Sequence, residues 1–223
     1  MRFERDDPNF DRIVTLDIET THYDPQQGEV VSVGVGEHRV GEPASEASYH
    51  LFHRNESGEA DLITQAVGHV NDVDADGLVT YNGQGFDIEF LEDRMYLLQE
   101  PKPQLVLDTD EAHIDLFADR KTLADRRGDK WPGLEECLDA YDLPVPKTEW
   151  NGREVTNTIF GDELGPTYLD ALTDVDLERL SPLMDLMDHY LKTDLEANLA
   201  LYHADTGRMF DAVHLGDHQS FDV

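Results

Sequence analysis

Two carboxylates, Asp17 and Glu19, stand two residues apart in the apolar segment IVTLDIET. A third, Asp87, follows the loop Gly83-Gln84-Gly85 in LVTYNGQGFDIEFL, and a fourth, Asp194, sits in HYLKTDLEANLAL. Acids are rarely buried unless they are paired with a cation or hold a metal, so four of them on core-forming segments require positive charge among them. A divalent cation is the simplest candidate.

Their placement depends on the elements that carry them. In a strand, alternate residues share a face, so Asp17 and Glu19 point one way, roughly 7 Å apart at the backbone, while Leu16 and Ile18 point the other. Asp-x-Glu occurs four times in this acid-rich chain, and only Asp17 and Glu19 close an apolar strand. Asp87 enters a helix, where backbone donors and the dipole favour an acid in any case, yet helical spacing puts it on the face of Leu91 and Leu98. Asp194 falls in the middle of the stripe Leu183, Met187, Tyr190, Asn198 and Leu201, which makes it a buried or cleft-facing acid with Tyr190 one turn before it. Asp188 and His189 belong to the opposite, solvated side.

Around these segments the pattern predicts strands over 12–19, 29–36 and 47–52, a helix over 59–71, a strand over 78–81 and a helix over 86–99. A strand AHIDLF and a helix to about residue 127 follow. Three early strands and then alternating strands and helices indicate a mixed α/β sheet. Residues 132–180 carry no assignable pattern. Ser181 and Pro182 read as the cap and first residue of a helix running to about 202. Residues 1–10 and 206–223 are expected to be loose tails on a single domain with its core over 10–205.

The 223 residues suffice for one sizeable core. No apolar run reaches the ~20 residues of a membrane span, and no signal-peptide pattern opens the chain. A lone Cys137 excludes a disulfide framework, and with it the expectation is a cytoplasmic protein. Forty-nine acidic residues against 17 basic ones, only five of them Lys, give a formal charge of -32. Self-repulsion of that size is screened in ~1 M salt, where the Debye length is about 3 Å, so the composition suits a halophilic cytoplasm. In such salt the acidic charge no longer argues against a nucleic-acid partner.

The set TLDIET, YNGQGFD and YLKTD resembles, in order and spacing, the three motifs of the DEDD 3′-to-5′ exonucleases, nearest to the proofreading domain of B-family DNA polymerases and its stand-alone relatives. The likeness covers about 10–117 and 181–205, and no polymerase portion is expected. It implies an RNase H-like mixed five-stranded sheet flanked by helices, and two divalent ions bound by Asp17, Glu19, Asp87 and Asp194. Two ions about 3.5–4 Å apart provide both the nucleophile and the leaving-group counter-charge for phosphodiester hydrolysis. Oxygen-only donors select Mg²⁺ or Mn²⁺ over zinc. Asp17 would bridge the ions, Glu19 and Asp194 complete one site, and Asp87 hold the second, partly through water.

One branch of that family uses Tyr-x3-Asp in the third motif and another His-x4-Asp, and His189 through Asp194 satisfies both. On an unbroken helix Tyr190 lies about 40° from Asp194 around the axis and His189 about 140° away, which favours Tyr190 as the residue that orients the water. His113 and Asp115 resemble a His-x-Asp strand of some stand-alone relatives and are neighbours of the expected site. For the substrate, single-stranded DNA or RNA, Arg120, Lys121, Arg126, Arg127 and Lys130 with Trp131 form a candidate phosphate-and-base surface, with Asn82 in the second motif. Arg126 and Arg127 before Gly128 equally suit a helix C-terminus. Lys147, Trp150 and Arg153 form a second, smaller candidate. Gly34-Val35-Gly36 lacks the third glycine of a dinucleotide loop. The competing reading is a catalytically inactive nucleic-acid-binding or regulatory module of the same fold. Protein partners, and DNA against RNA, are open.

Overall fold

The computed structural model describes residues 1–223. Strand β1 (Arg12–Thr20) is buried on both faces, with Ile13, Val14, Leu16 and Ile18 at 6% exposure or less, which places it at the sheet centre. It pairs antiparallel with β2 (Val30–Arg39), which pairs antiparallel with β3 (Ser48–His53). After α1 (Glu59–Asp72) the chain returns as β4 (Gly77–Thr80), parallel to β1. Then α2 (Asp87–Leu97) leads to β5 (His113–Asp115), parallel to β4. The order β3-β2-β1-β4-β5 is a mixed five-stranded sheet, as the strand pattern and the family resemblance together lead one to expect.

Helices cover both faces. Val14, Leu16 and Ile18 pack with Leu62, Ile63, Ala66 and Val67 of α1 and with Ile88 and Leu91 of α2. On the other face Ile13 and Val79 pack with Ala197, Leu199, Ala200 and Leu201 of the long helix α7 (Leu177–Asp205). This helix begins five residues before the expected start. Asp176 is its cap, with a side chain accepting from Arg179 N, and Pro182 lies inside the second turn. A proline there removes one amide to the Glu178 carbonyl, which the remaining 29-residue helix tolerates.

The remaining elements are α3 (Leu116–Arg127), α4 (Leu134–Ala140), β6 (Lys147–Trp150), β7 (Arg153–Glu154) and a helical stretch. That stretch runs from α5 (Asn157–Ile159) through a π-helical turn (Phe160–Leu164) into α6 (Gly165–Thr173). Thus 132–180, without assignable pattern in the sequence, is ordered by packing: Trp150, Phe160, Leu164 and Tyr168 bury against Leu183, Leu186 and Met187 of α7.

Both expected loose tails are fixed. The Met1 amino group donates to the Glu136 carbonyl, and Arg5 N to the Asp205 carbonyl. At the other end β8 (His218–Phe221) adds parallel to β6 in a second sheet, β7-β6-β8. Glu196, fully buried on α7, accepts from Val213 N, His214 N and Leu215 N at 2.9, 2.5 and 2.6 Å and anchors the segment in between.

Candidate active site

Beyond Thr15, β1 has no partner on the β4 side, because β4 ends at Thr80 and the chain turns away. This opens a cleft at the C-terminal ends of two parallel strands, where Ile18 N faces no strand. Asp87, the first residue of α2, fills that gap by accepting from Ile18 N at 3.1 Å.

Asp17 and Glu19 lie on the face covered by α7. At Gly34, the register partner of Asp17, α7 packs close on the sheet: a Cβ on Gly34 would stand 2.8 Å from both Leu191 and Leu195. One turn further, Asn198 Nδ2 donates to Thr15 Oγ1 at 3.2 Å and fixes the rotation of the helix. The glycine and this bond together bring Asp194 over Asp17. One carboxylate oxygen from each of Asp17, Glu19 and Asp194 lies within 4.8 Å of the others, and Asp87 lines the same cleft at a greater distance.

Every charged group acting strongly on Asp17, Glu19 and Asp194 is another acid. Burial pushes the Asp194 carboxyl up to about 8, with Glu135 adding repulsion. Burial and Asp194 raise Asp17 well above the carboxylate range. Glu19 is raised by burial and then by Asp17, Asp194 and Asp87. Asp87 is raised by burial and by Asp17, against the opposing pull of its backbone hydrogen bonds. A cluster of oxygen donors without a cationic partner fits hard divalent cations, which would restore the ionised forms.

The sequence of this fold decides its family. A profile of the RNase H superfamily matches residues 14–158, which is 145 of 223 residues. The chain belongs to the RNase H superfamily. Among solved structures, the family B DNA polymerase from the hyperthermophilic archaeon Pyrobaculum calidifontis aligns over 87% of this chain and 27% of its own, at 19% identity and TM-score 0.46. A product-bound exonuclease I aligns over 80% of this chain and 46% of its own, at 15% identity and TM-score 0.43. Exonuclease I in complex with the inhibitor BCBP aligns over 83% and 45%, at 16% identity and TM-score 0.43. The chain thus spans between about a quarter and a half of the length of these proteins. No curated protein is significantly similar to it in sequence.

Within this RNase H fold the remaining expected residues divide. Tyr190 faces the acids: Glu19, Asp194 and Asp17, after burial, hold its hydroxyl protonated, and that hydroxyl donates to Asn157 Oδ1 at 2.8 Å. His189 points to the other side, as helix phase predicts, but it is buried rather than solvated. Its Nδ1 lies 2.7 Å from Thr148 Oγ1, and its ring lies beside Phe221, because the β7-β6-β8 sheet covers that side of α7.

His113 and Asp115 stand behind the site. Asp115 accepts from Asn82 N at 2.9 Å and Gln84 N at 3.2 Å, and so shapes the loop that leads into Asp87. Asn82 holds φ 68°, a left-handed conformation that Asn adopts readily, and its side chain lines the cleft. His113 Nε2 lies 2.8 Å from Thr80 Oγ1, and its Nδ1 lies 2.7 Å from Asp108.

The expected basic surface loses its first member. Arg120 is fully buried, with its guanidinium on the Asp205 carboxylate at 2.8 and 2.5 Å and on the Met1 and Leu116 carbonyls. Arg126 and Arg127 are exposed in the last turn of α3, ahead of Gly128 at φ 70°. Lys130 is exposed beside Glu136. Lys121 Nζ sits 4.3 Å from the Trp131 ring centre, and Trp131 stacks edge-on against Phe117, which lines the cleft. In the smaller candidate group Trp150 is buried, and Lys147 and Arg153 pair with Glu149 and Glu163. Sequence reasoning missed Glu135 and Asn157, which line the cleft from segments that carry no motif.

Proposed function

We propose that this RNase H-superfamily chain is a metal-dependent 3′-to-5′ exonuclease that hydrolyses phosphodiester bonds at single-stranded DNA or RNA ends. The observation that carries this reading is the meeting of carboxylates from β1, α2 and α7 in one cleft without any cationic side chain to neutralise them. Two Mg²⁺ or Mn²⁺ ions, when bound, would supply activation of water and neutralisation of the phosphoryl and leaving oxygens. Asp17, Glu19 and Asp194 would hold one ion, and Asp87 with Asp17 the second. Tyr190, whose hydroxyl stays protonated and donates to Asn157 Oδ1, would orient the water that attacks phosphorus by accepting from it, as the bond to the 3′ oxygen breaks. Phe117 and Trp131 offer stacking faces for terminal bases, Lys121 a counter-charge for phosphate, and Asn82 a polar contact at the cleft floor. The charge of -32 supports placing the protein in a salt-rich cytoplasm.

The inactive-module reading requires binding without turnover. Single-turnover degradation of a 3′-labelled or 5′-labelled strand in ~1 M salt, where surface electrostatics are screened, separates the two. Loss of 3′-terminal nucleotides with Mn²⁺, abolished in Asp17→Ala, supports the exonuclease. Binding with no product in any metal overturns it.

A further inference from the structure

On the face of the sheet opposite the acidic cleft, three metal-ligating side chains meet that the proposed chemistry does not use. Glu37 of β2 pairs with Ser48, and Val35 pairs with His50 of β3, so Glu37 and His50 are diagonal neighbours on one face of an antiparallel pair. That face also carries Val33 and Val35, which pack against α1. From the last turn of α1 comes His69. One donor atom from each of the three lies within 4.8 Å of the others. His50 Nε2 is 3.3 Å from Glu37 Oε1, and the two imidazole rings are 4.1 Å apart at their centres.

Three features bear on what this group does. His69 Nε2 is closed off from solvent and has no hydrogen-bond partner, which leaves a buried polar atom unsatisfied. The His69 and His50 rings, carried by α1 and β3, meet at 49° rather than stacked flat. Arg12 lies 3.2 Å from Glu37 Oε2 and leaves Oε1 turned to His50, as outer-shell partners of ligating carboxylates do. The 3.3 Å contact between His50 and Glu37 leaves His69 Nε2 without a partner.

We propose that Glu37, His50 and His69 form a second metal site that takes a borderline transition ion, Zn²⁺ before Mg²⁺, with water in the open coordination position. Two imidazoles and one carboxylate are a donor set suited to zinc, whereas the acidic cleft offers oxygen alone. The ion would tie the edge strand β3 to β2 and α1 and stabilise the fold by mass action. This assignment does not depend on the nuclease reading.

The test uses the full chain carrying Asp17→Asn, stripped of metal and kept in excess Mg²⁺ so that the cleft does not compete. Co²⁺ is then titrated while visible absorption is followed, and Zn²⁺ is added to displace it. One equivalent of Co²⁺ with the intense bands of a low-coordinate site, displaced by Zn²⁺, is expected. His50→Gln and His69→Gln should each weaken Co²⁺ binding by at least about 100-fold, beyond the 10- to 100-fold typical of outer-shell changes. His214→Gln, on a different surface, should leave it unchanged. His50 is exposed, so His50→Gln keeps its fold even if His69→Gln does not. Absence of the Co²⁺ bands, or their persistence in folded His50→Gln, overturns the proposal.

Discussion

Replacing Asp194 with asparagine tests whether the acids are held together against their own repulsion. The Asp194 carboxyl titrates near 8 in the folded chain and near 3.8 when exposed, so between those values the folded state binds the extra proton. Stability therefore falls as pH rises through that window, the sign expected for an acid whose folded value is raised. Taken whole, a shift of that size at about 1.4 kcal/mol per pH unit gives roughly 5–6 kcal/mol. Coupling to Asp17 and Glu19, and water reaching a partly exposed side chain, reduce it to about 1–3 kcal/mol at pH 8, because protons and charge are shared over the cluster.

Asparagine keeps the shape and removes that term. In metal-free buffer Asp194→Asn should melt about 2–12 °C above the parent at pH 8, at the 2–4 °C per kcal/mol usual for this chain length, and the difference should vanish near pH 4. Saturating Mn²⁺ should reverse the order. The parent gains about 2.7 kcal/mol when the ion stands at 100 times its dissociation constant, and the variant, lacking a ligand, gains much less. Melting curves with chelator and with Mn²⁺, from pH 4 to pH 8 in high salt, supply the comparison. If Asp194→Asn is less stable than the parent at pH 8 without metal, or if Mn²⁺ raises both equally, the acids do not form the proposed site.

Further variants test other parts of the structure. Tyr190→Phe should lower the proposed single-turnover rate by about 10- to 100-fold with little change in strand affinity, whereas His189→Ala should cost roughly 1–3 kcal/mol of stability through its lost Thr148 bond and leave the rate of the folded protein near normal. Arg120→Ala should destabilise the chain by about 3–5 kcal/mol by stranding the Asp205 carboxylate, while Trp131→Ala should instead weaken single-strand binding by about 1–3 kcal/mol per base unstacked, both read from melting and fluorescence titration. Gly34→Ala should push Leu191 and Leu195 outward at a cost of about 1–3 kcal/mol and lower Mn²⁺ affinity, because Asp194 moves with them.

The sheet and the acidic cleft are legible in the sequence because each rests on local periodicity. Alternation puts Asp17 and Glu19 on one face, and the helical stripe from Leu183 to Leu201 fixes the phase of Asp194 and Tyr190. What the sequence does not yield depends on neighbours distant in the chain. His189 has the predicted phase and the wrong environment, since only the pairing of β6 with β8 covers it, across about seventy residues of chain. Arg120 reads as one cation among several until Asp205, 85 residues away, is seen beside it. The C-terminal segment has no apolar pattern to announce order, because a buried carboxylate, Glu196, secures it through three backbone donors.

Gly34 shows how the two kinds of information meet. In the sequence Gly34-Val35-Gly36 offers only a dinucleotide motif to be rejected; in the fold the missing Cβ sets the distance between α7 and the strand that carries Asp17. The acids converge because a strand residue was left without a side chain. Repulsion among them is then resisted by the packing of Leu191, Leu195 and Asn198 on either side of Asp194.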